Sequence, residues 1–186
     1  MKSALLVIDV QQSFVQRPYW GEEDVQPFLQ RTQHLIDQFE QAGAPALQIF
    51  HLDESNGPTG AFSRHSGHVR TLAGLRIHPT EVFFKSVHSA LFASNADGQS
   101  LDSWLRRNAV ERLVVTGIRT EQCCETTTRH ASDLGYSVIY AGDATLTFPM
   151  VSVSGREFSA KEIRERTELV LEGRFARVQK AEAVQI

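Results

Sequence analysis

The stretch RLVVTGIRTEQCCETTTRHASDLGYSVIYA, residues 112–141, contains a complete strand–helix–strand pattern. Its β-branched and aliphatic start, Arg112–Gly117, predicts a buried strand. A helix is predicted from about Gln122 to Leu134, with Gly135 as its stop. Ser137–Ala141 predicts the next strand. Two strands joined by a helix in this way are typical of a parallel α/β sheet.

The same alternation extends in both directions from this stretch. Further strands are predicted at Ala4–Val10, Ala46–His51, Glu81–Lys85 and Phe175–Val178. Further helices are predicted over Asp24–Ala42, over Leu101–Arg107 and after the capping box formed by Ser159 and Glu162. Near-continuous apolar strands between helices predict a parallel sheet that is covered on both faces. The predicted class is therefore α/β, and the 186 residues fit one domain over 1–186.

Two segments interrupt the alternation. Asp53–Gly74 is rich in glycine and contains two histidines, so it predicts a long loop. Long loops in compact domains are usually functional or disordered. Ala144–Phe158 predicts a second, shorter irregular stretch.

The composition disfavours several function classes. The net charge of −3, with no basic run, gives no electrostatic basis for binding nucleic acid. The apolar run Ala4–Ile8 is too short to span a membrane, and it lacks the flanking features of a signal peptide. We therefore expect a cytoplasmic protein that binds a small molecule and neither nucleic acid nor a membrane.

The two cysteines of the chain are neighbours, Cys123 and Cys124. A disulfide between adjacent residues is strained, which argues against a structural bridge. Two cysteines without a CxxC spacing do not make a structural zinc site either. The roles that remain for the two cysteines are packing in the core and chemical reactivity, and the composition alone favours packing.

Three chemically distinct side chains follow predicted strands. Asp9 closes the first strand, Lys85 ends the third, and Cys123 follows the fourth across a turn. Ligands of open α/β sheets bind beyond the carboxyl ends of the strands, so we expect the acid, the cation and the thiol to converge there. Taken singly, each has an ordinary interpretation as a turn residue, a solvated cation or a packed thiol.

These residue types suit nucleophilic catalysis. A helix N-terminus and the Lys85 cation would favour the thiolate of Cys123, which is the nucleophilic form. Asp9 could accept the thiol proton and return it to a leaving amine. Main-chain N–H groups at the turn could hold the oxyanion of a tetrahedral intermediate.

Three motifs in order make the chain resemble a known superfamily. They are ALLVIDVQQSF with Asp9, FFKSVHSALF with Lys85, and LVVTGIRTEQCCETTTRH, in which the cysteine six residues after the glycine of TG is Cys123. On these motifs, over about Ala4 to Thr145, the sequence resembles the isochorismatase-like cysteine hydrolases. That superfamily includes nicotinamidases and N-carbamoylsarcosine amidases.

The resemblance implies a fold and a set of roles. The fold would be a Rossmann-like three-layer α/β/α sandwich around a six-stranded, mostly parallel sheet. Asp9, Lys85 and Cys123 would be the catalytic residues, with an oxyanion hole formed by the N–H groups of Arg119 and Cys123. A cis peptide bond would precede Arg119. A homodimer or homotetramer is expected, and no cofactor is required.

Substrate contacts are expected around the same edge. The candidates are Gln11, Phe14, Trp20, His88, Arg119 and Gln122. The aromatic candidates would wall a pocket, or they would belong to the core or to a subunit contact. Tyr19 and Phe148 are similar aromatic candidates. Arg119, where the family usually has a small residue, would pair with a substrate carboxylate or turn to solvent or a neighbouring subunit.

The metal site of nicotinamidases is matched only in part. His51 fits one ligand position, but Ile49 stands where the partner aspartate would be. The other nearby donors are His65 and His68, and loop histidines are usually solvated. We therefore expect no metal, with His51, His65 and His68 as the weaker alternative, and we disfavour nicotinamidase activity.

The sequence thus predicts a hydrolase of a small amide, ureido or carbamoyl compound that works through a thioester on Cys123. One alternative is an isochorismatase-type hydrolase of a non-amide substrate that does not use the cysteine. Another is a catalytically silent interaction module with the same fold. A redox role for the vicinal cysteines is disfavoured because their side chains diverge on a helix.

Overall fold

A computed structural model describes residues 1–186 and contains eight strands and four α-helices. The strands are β1 Ser3–Ile8, β2 Ala46–His51, β3 Glu81–Lys85, β4 Arg112–Ile118, β5 Ser137–Leu146, β6 Met150–Val151, β7 Glu157–Phe158 and β8 Arg177–Gln179. The α-helices are α1 Val25–Gln41, α2 Leu101–Arg107, α3 Glu125–Asp133 and α4 Ala160–Leu171. Short 3₁₀ turns occupy Gln12–Gln16, Ala90–Phe92 and Ala181–Ala183, and a π-helical turn occupies Thr120–Cys124.

Six of the strands form one sheet in the order β3-β2-β1-β4-β5-β8, and every neighbouring pair is parallel. The predicted α/β class with a six-stranded parallel sheet is confirmed. Strand β2 pairs with one edge of β1, and β3 pairs with β2. The next strand along the chain, β4, pairs with the other edge of β1. The strand order therefore reverses between β1 and β4, and such a switch point opens a crevice at the carboxyl edge of the sheet.

Alternation along β1 divides the core between the two faces of the sheet. Leu6 and Ile8 belong to a cluster of 22 buried residues that includes Leu101 of α2 and Ala131 of α3. Leu5 and Val7 belong to a second cluster of 22, which includes the apolar side of α1. Successive strand residues point to opposite faces, so this division gives the three α/β/α layers.

The turn after β4 differs from the helix predicted to begin at Gln122. The chain first makes the π-helical turn Thr120–Cys124 and becomes α-helical at Glu125. Gly117 has φ +141°, and a Cβ there would overlap the carbonyl oxygen of Ile8. Glycine therefore lets β4 approach β1 closely where the crevice opens.

The end of β5 also differs from the prediction. The segment Ala144–Leu146 was expected to be irregular, but β5 continues to Leu146 and pairs with β4 beyond a register shift between Val115 and Gly117. This irregularity lets a strand pass through residues whose local pattern does not predict one. The capping box of Ser159 and Glu162 is confirmed at the start of α4.

No helix of the chain combines the length and the apolar character needed to cross a lipid bilayer.

Candidate active site

The structure brings together the three side chains predicted to be catalytic. Asp9 follows β1, Lys85 is the last residue of β3, and Cys123 lies in the π-helical turn after β4. The Lys85 Nζ atom lies 2.7 Å from Asp9 Oδ2 and 3.4 Å from Cys123 Sγ. These contacts define the Asp9–Lys85–Cys123 cluster at the switch point of the sheet.

The two charges of the cluster are fully buried. The side chains of Asp9 and Lys85 are both 0% exposed. Burial alone would lower the pKa of Lys85, but the charge of Asp9 and the hydrogen bonds to Asp9 and Cys123 outweigh it and raise that pKa. Asp9 Oδ1 is buried and has no hydrogen-bond partner. The cluster therefore holds a firmly protonated lysine and a carboxylate oxygen that is free to accept a proton.

The thiol is the neutral member of the cluster at rest. Burial and the charge of Asp9 raise the pKa of Cys123, and the opposing effect of Lys85 is smaller. Lys85 lowers the pKa of Cys123, which is the direction expected for a cation that favours the thiolate, but removal of the thiol from water raises that pKa by more. A nucleophile at this position needs a base to remove its proton when a substrate is bound.

The backbone around the cluster is unusual at two positions. Asp9 has φ +54°, in the left-handed region that non-glycine residues rarely adopt. The peptide bond between Ile118 and Arg119 is cis, as predicted. Arg119 accepts hydrogen bonds from the N–H groups of Gln122 and Cys124 at its carbonyl, while its own N–H donates to no main-chain acceptor. A free main-chain donor thus lies in the turn that carries Cys123.

A cavity of about 330 Å³ opens onto Asp9 and Cys123. Its other lining residues are Phe14, Arg17, Tyr19, His51, Asp53, Asn56, Phe62, His88 and Gln122. Three of the predicted substrate contacts, Phe14, His88 and Gln122, are among them. A larger depression of about 500 Å³ lies along β3 beside Phe84, but neither Asp9 nor Cys123 lines it. We therefore place the candidate site in the smaller cavity.

Sequence reasoning missed four lining residues as substrate contacts. Asp53, Asn56 and Phe62 lie in the long loop after β2, and Phe62 meets Phe14 edge-on with ring centroids 5.0 Å apart. Arg17 follows the 3₁₀ turn after β1. The length of the loop pointed to function, but no motif in it singled out these side chains.

Two predicted substrate contacts lie outside the lining of the cavity. Gln11 is fully buried, and its amide bridges the Ser13 hydroxyl and both main-chain groups of His51. Gln11 therefore links the ends of β1 and β2. The Trp20 indole N–H donates to Glu22, and its ring packs on Phe148. These two predictions are corrected because both polar groups are already satisfied within the chain.

Arg119 also does not point into the cavity. Its Nη2 atom lies 2.9 Å from Oε1 of Glu121, and the two side chains are 8% and 9% exposed. Its guanidinium sits 4.8 Å from the centre of the Tyr19 ring. The predicted contact with a substrate carboxylate is corrected, since Glu121 already pairs with this cation.

The predicted metal donors do not form a site. His51 Nδ1 lies 3.2 Å from Lys85 Nζ, and His65 is exposed in the long loop. No three His, Cys, Asp or Glu side chains are grouped so that they could hold a metal ion. Ile49, at the position of the missing aspartate, is buried in the core. These residues do not fit a metal centre.

The parallel sheet and the thiol beside a buried carboxylate–ammonium pair define an α/β protein with a candidate active site at the switch point of its sheet. The family model described as the Isochorismatase domain matches residues 3–175. The chain belongs to this family of isochorismatase-like hydrolases.

Individual relatives agree with this assignment. A crystal structure assigned to an isochorismatase-family hydrolase of Chromobacterium violaceum superposes with a TM-score of 0.84 at 30% identity, covering 97% of this chain and 90% of that chain. Nicotinamidase 3 of Arabidopsis thaliana is 28% identical, covering 78% of this chain and 74% of its own. Streptothricin hydrolase of Streptomyces noursei is 30% identical, covering 78% of this chain and 50% of its own.

Proposed function

We propose that this protein hydrolyses a C–N bond of a small amide, ureido or carbamoyl compound through a thioester on Cys123. The observation that carries the proposal is the Asp9–Lys85–Cys123 cluster, in which a carboxylate oxygen without a partner and a lysine cation flank a thiol at a cavity. The relatives named nicotinamidase and streptothricin hydrolase support hydrolysis of an amide-like bond.

In the first step Asp9 accepts the proton of the Cys123 thiol, and the sulfur attacks the substrate carbonyl carbon. Lys85 stays protonated and stabilises the negative charge that passes from Asp9 to sulfur. The N–H groups of Arg119 and Cys123 donate to the oxyanion of the tetrahedral intermediate. Each such donor stabilises the transition state by about 2.7–4 kcal/mol.

In the second step the C–N bond breaks, and Asp9 returns its proton to the leaving nitrogen. The acyl group remains on Cys123 as a thioester. Water then attacks the thioester, Asp9 accepts the water proton, and the thiolate leaves and is reprotonated by Asp9. The atoms balance with water alone, so the proposal requires no cofactor.

The cavity indicates a small substrate. Its volume of about 330 Å³ is near the lower end of the range for ligand pockets. Phe14, Tyr19 and Phe62 supply aromatic walls, whereas Arg17 and Asp53 supply one charge of each sign. A small compound with a planar carbonyl group is compatible with this space.

The test is an ammonia-release screen over small primary amides, ureides and carbamoyl acids. Cys123→Ala should lower turnover of any hit by at least about a thousandfold while the variant stays folded. Cys124→Ala is the matched control, because Cys124 is the buried neighbour that faces the core. Turnover that survives in Cys123→Ala would exclude the thioester and favour a hydrolase that does not use the cysteine.

We also propose a homodimer or homotetramer, which rests on the family resemblance. Sedimentation of the purified chain checks it, and a monomer at micromolar concentration would exclude it.

A further inference from the structure

We infer that His51 is a positioning residue that holds Lys85 in place, so that the Asp9–Lys85–Cys123 cluster works with a fourth side chain. This inference rests on the proposed function. His51 is the last residue of β2 and lies in register beside Lys85 on β3. The distance between His51 Nδ1 and Lys85 Nζ is 3.2 Å.

The hydrogen bonds of Lys85 show why a fourth side chain is needed. An ammonium group has three N–H donors and no acceptor. The Lys85 side chain is fully buried, and its Nζ atom meets Asp9 Oδ2 at 2.7 Å, His51 Nδ1 at 3.2 Å and Cys123 Sγ at 3.4 Å. Each donor therefore has one acceptor. Loss of His51 leaves one buried N–H of a cation without a partner, which is costly in the absence of water.

His51 is held in place by residues outside the cluster. Its main-chain N–H donates to Gln11 Oε1 at 2.7 Å, and its carbonyl accepts from Gln11 Nε2 at 3.0 Å. The His51 ring meets Phe62 edge-on at 5.7 Å between centroids. The hydrogen bonds of Gln11 fix the main chain of His51, and Phe62 packs on the imidazole that reaches Lys85.

The protonation state of His51 agrees with this role. Nδ1 can accept from an ammonium group only if the ring is neutral and carries its proton on Nε2. Burial and the Lys85 charge lower the pKa of His51 and so favour the neutral ring. An imidazolium would lose the acceptor and repel Lys85.

Two other roles for His51 make different predictions. A metal ligand needs further donors, and no such group is present. A substrate contact is compatible with the position of His51 in the cavity lining. A contact of that kind would raise KM, whereas displacement of Lys85 lowers kcat and slows every reaction of the Cys123 sulfur.

The experiment compares His51→Leu with His51→Asn in the full chain. Leucine removes the acceptor, whereas the asparagine side-chain oxygen can take the place of Nδ1. The probe is iodoacetamide, and the readout is the rate at which Cys123 gains mass, mapped by peptide mass spectrometry. For any amide found in the screen, kcat and KM are measured as well. Thermal unfolding checks that both variants are folded.

We expect His51→Leu to slow alkylation of Cys123 and to lower kcat by at least about tenfold, with His51→Asn within about threefold of the natural protein. Natural rates in His51→Leu would overturn the inference. Equal losses in both variants, or a change in KM alone, would also overturn it. These outcomes are separate from the fate of the proposed function, which depends on turnover in Cys123→Ala.

Discussion

Two buried ion pairs involve the candidate active site and the turn that carries Cys123. In one, Asp9 and Lys85 are 2.7 Å apart and fully buried. In the other, Arg119 and Glu121 are 2.9 Å apart and almost fully buried. Each pair holds two opposite charges away from water. The desolvation of both charges costs free energy, so such buried pairs are uncommon in proteins.

The surroundings of the two pairs differ. Lys85 contacts the Cys123 sulfur, and one oxygen of Asp9 has no partner. Arg119 is covered by the Tyr19 ring, and Glu121 accepts a hydrogen bond from the Thr147 hydroxyl at 2.6 Å. Both pairs contain a buried carboxylate oxygen without a hydrogen-bond partner, Asp9 Oδ1 in the first and Glu121 Oε1 in the second, but only the first pair contacts the Cys123 sulfur. A buried ion pair with an unpartnered oxygen is therefore not distinctive by itself, and the contact with the Cys123 thiol is what sets the first pair apart.

The largest expected effect follows from removing the charge of Asp9. Asp9→Asn keeps the shape and tolerates the left-handed backbone at φ +54°, but it removes the base. We expect turnover to fall by at least about a thousandfold. Glu121→Gln is the matched control in the other pair, and it should retain turnover within about tenfold. Equal losses of turnover in Asp9→Asn and Glu121→Gln would show that the two ion pairs do not differ in their contribution to catalysis.

The second effect concerns stability. Arg119→Met leaves the buried carboxylate of Glu121 without its cation and should lower the free energy of unfolding by about 3–5 kcal/mol. Adding Glu121→Gln removes both charges, keeps an acceptor for Thr147, and should recover most of the loss. Urea unfolding of the two variants and the natural chain measures this. No recovery in the double variant would mean that packing of Arg119, and not its charge, stabilises the turn.

The smallest effect is a pH dependence of stability that comes in part from Cys123 and its neighbour Cys124. Burial raises the pKa of both Cys123 and Cys124. Above roughly pH 8.5 the unfolded chain loses thiol protons that the folded chain keeps, so the free energy of unfolding falls as pH rises. The slope is up to about 1.4 kcal/mol per pH unit for each thiol.

Unfolding titrations between about pH 8.5 and 10 test this point. Cys123→Ala should show a shallower decline than the natural chain, because one titrating thiol is gone. The double variant of Arg119 and Glu121 should keep most of the natural slope, because both thiols remain and the charge of Glu121 raises the pKa of Cys124 less than burial does. An unchanged slope in Cys123→Ala would show that the folded and unfolded chains hold the Cys123 proton equally.

Local patterns were sufficient for most of the elements. The bounds of β2, β3 and α2 agree with the apolar runs that predict them, and the capping box sets the start of α4. Local patterns failed at the end of β5, where pairing with β4 extends the strand, and at the π-helical turn before α3. In both places contacts between distant segments override local preference.

For the candidate site, the chain alone indicated which residue types could react and that strand ends would bring Asp9, Lys85 and Cys123 together. This succeeded because parallel strands share one carboxyl edge, so order along the chain translates into proximity. The contacts of Gln11, His51 and Arg119 were visible only in the folded chain. A side chain's partners and its exposure to water depend on neighbours in three dimensions that no spacing in the sequence encodes, and these neighbours set the direction of its pKa shift.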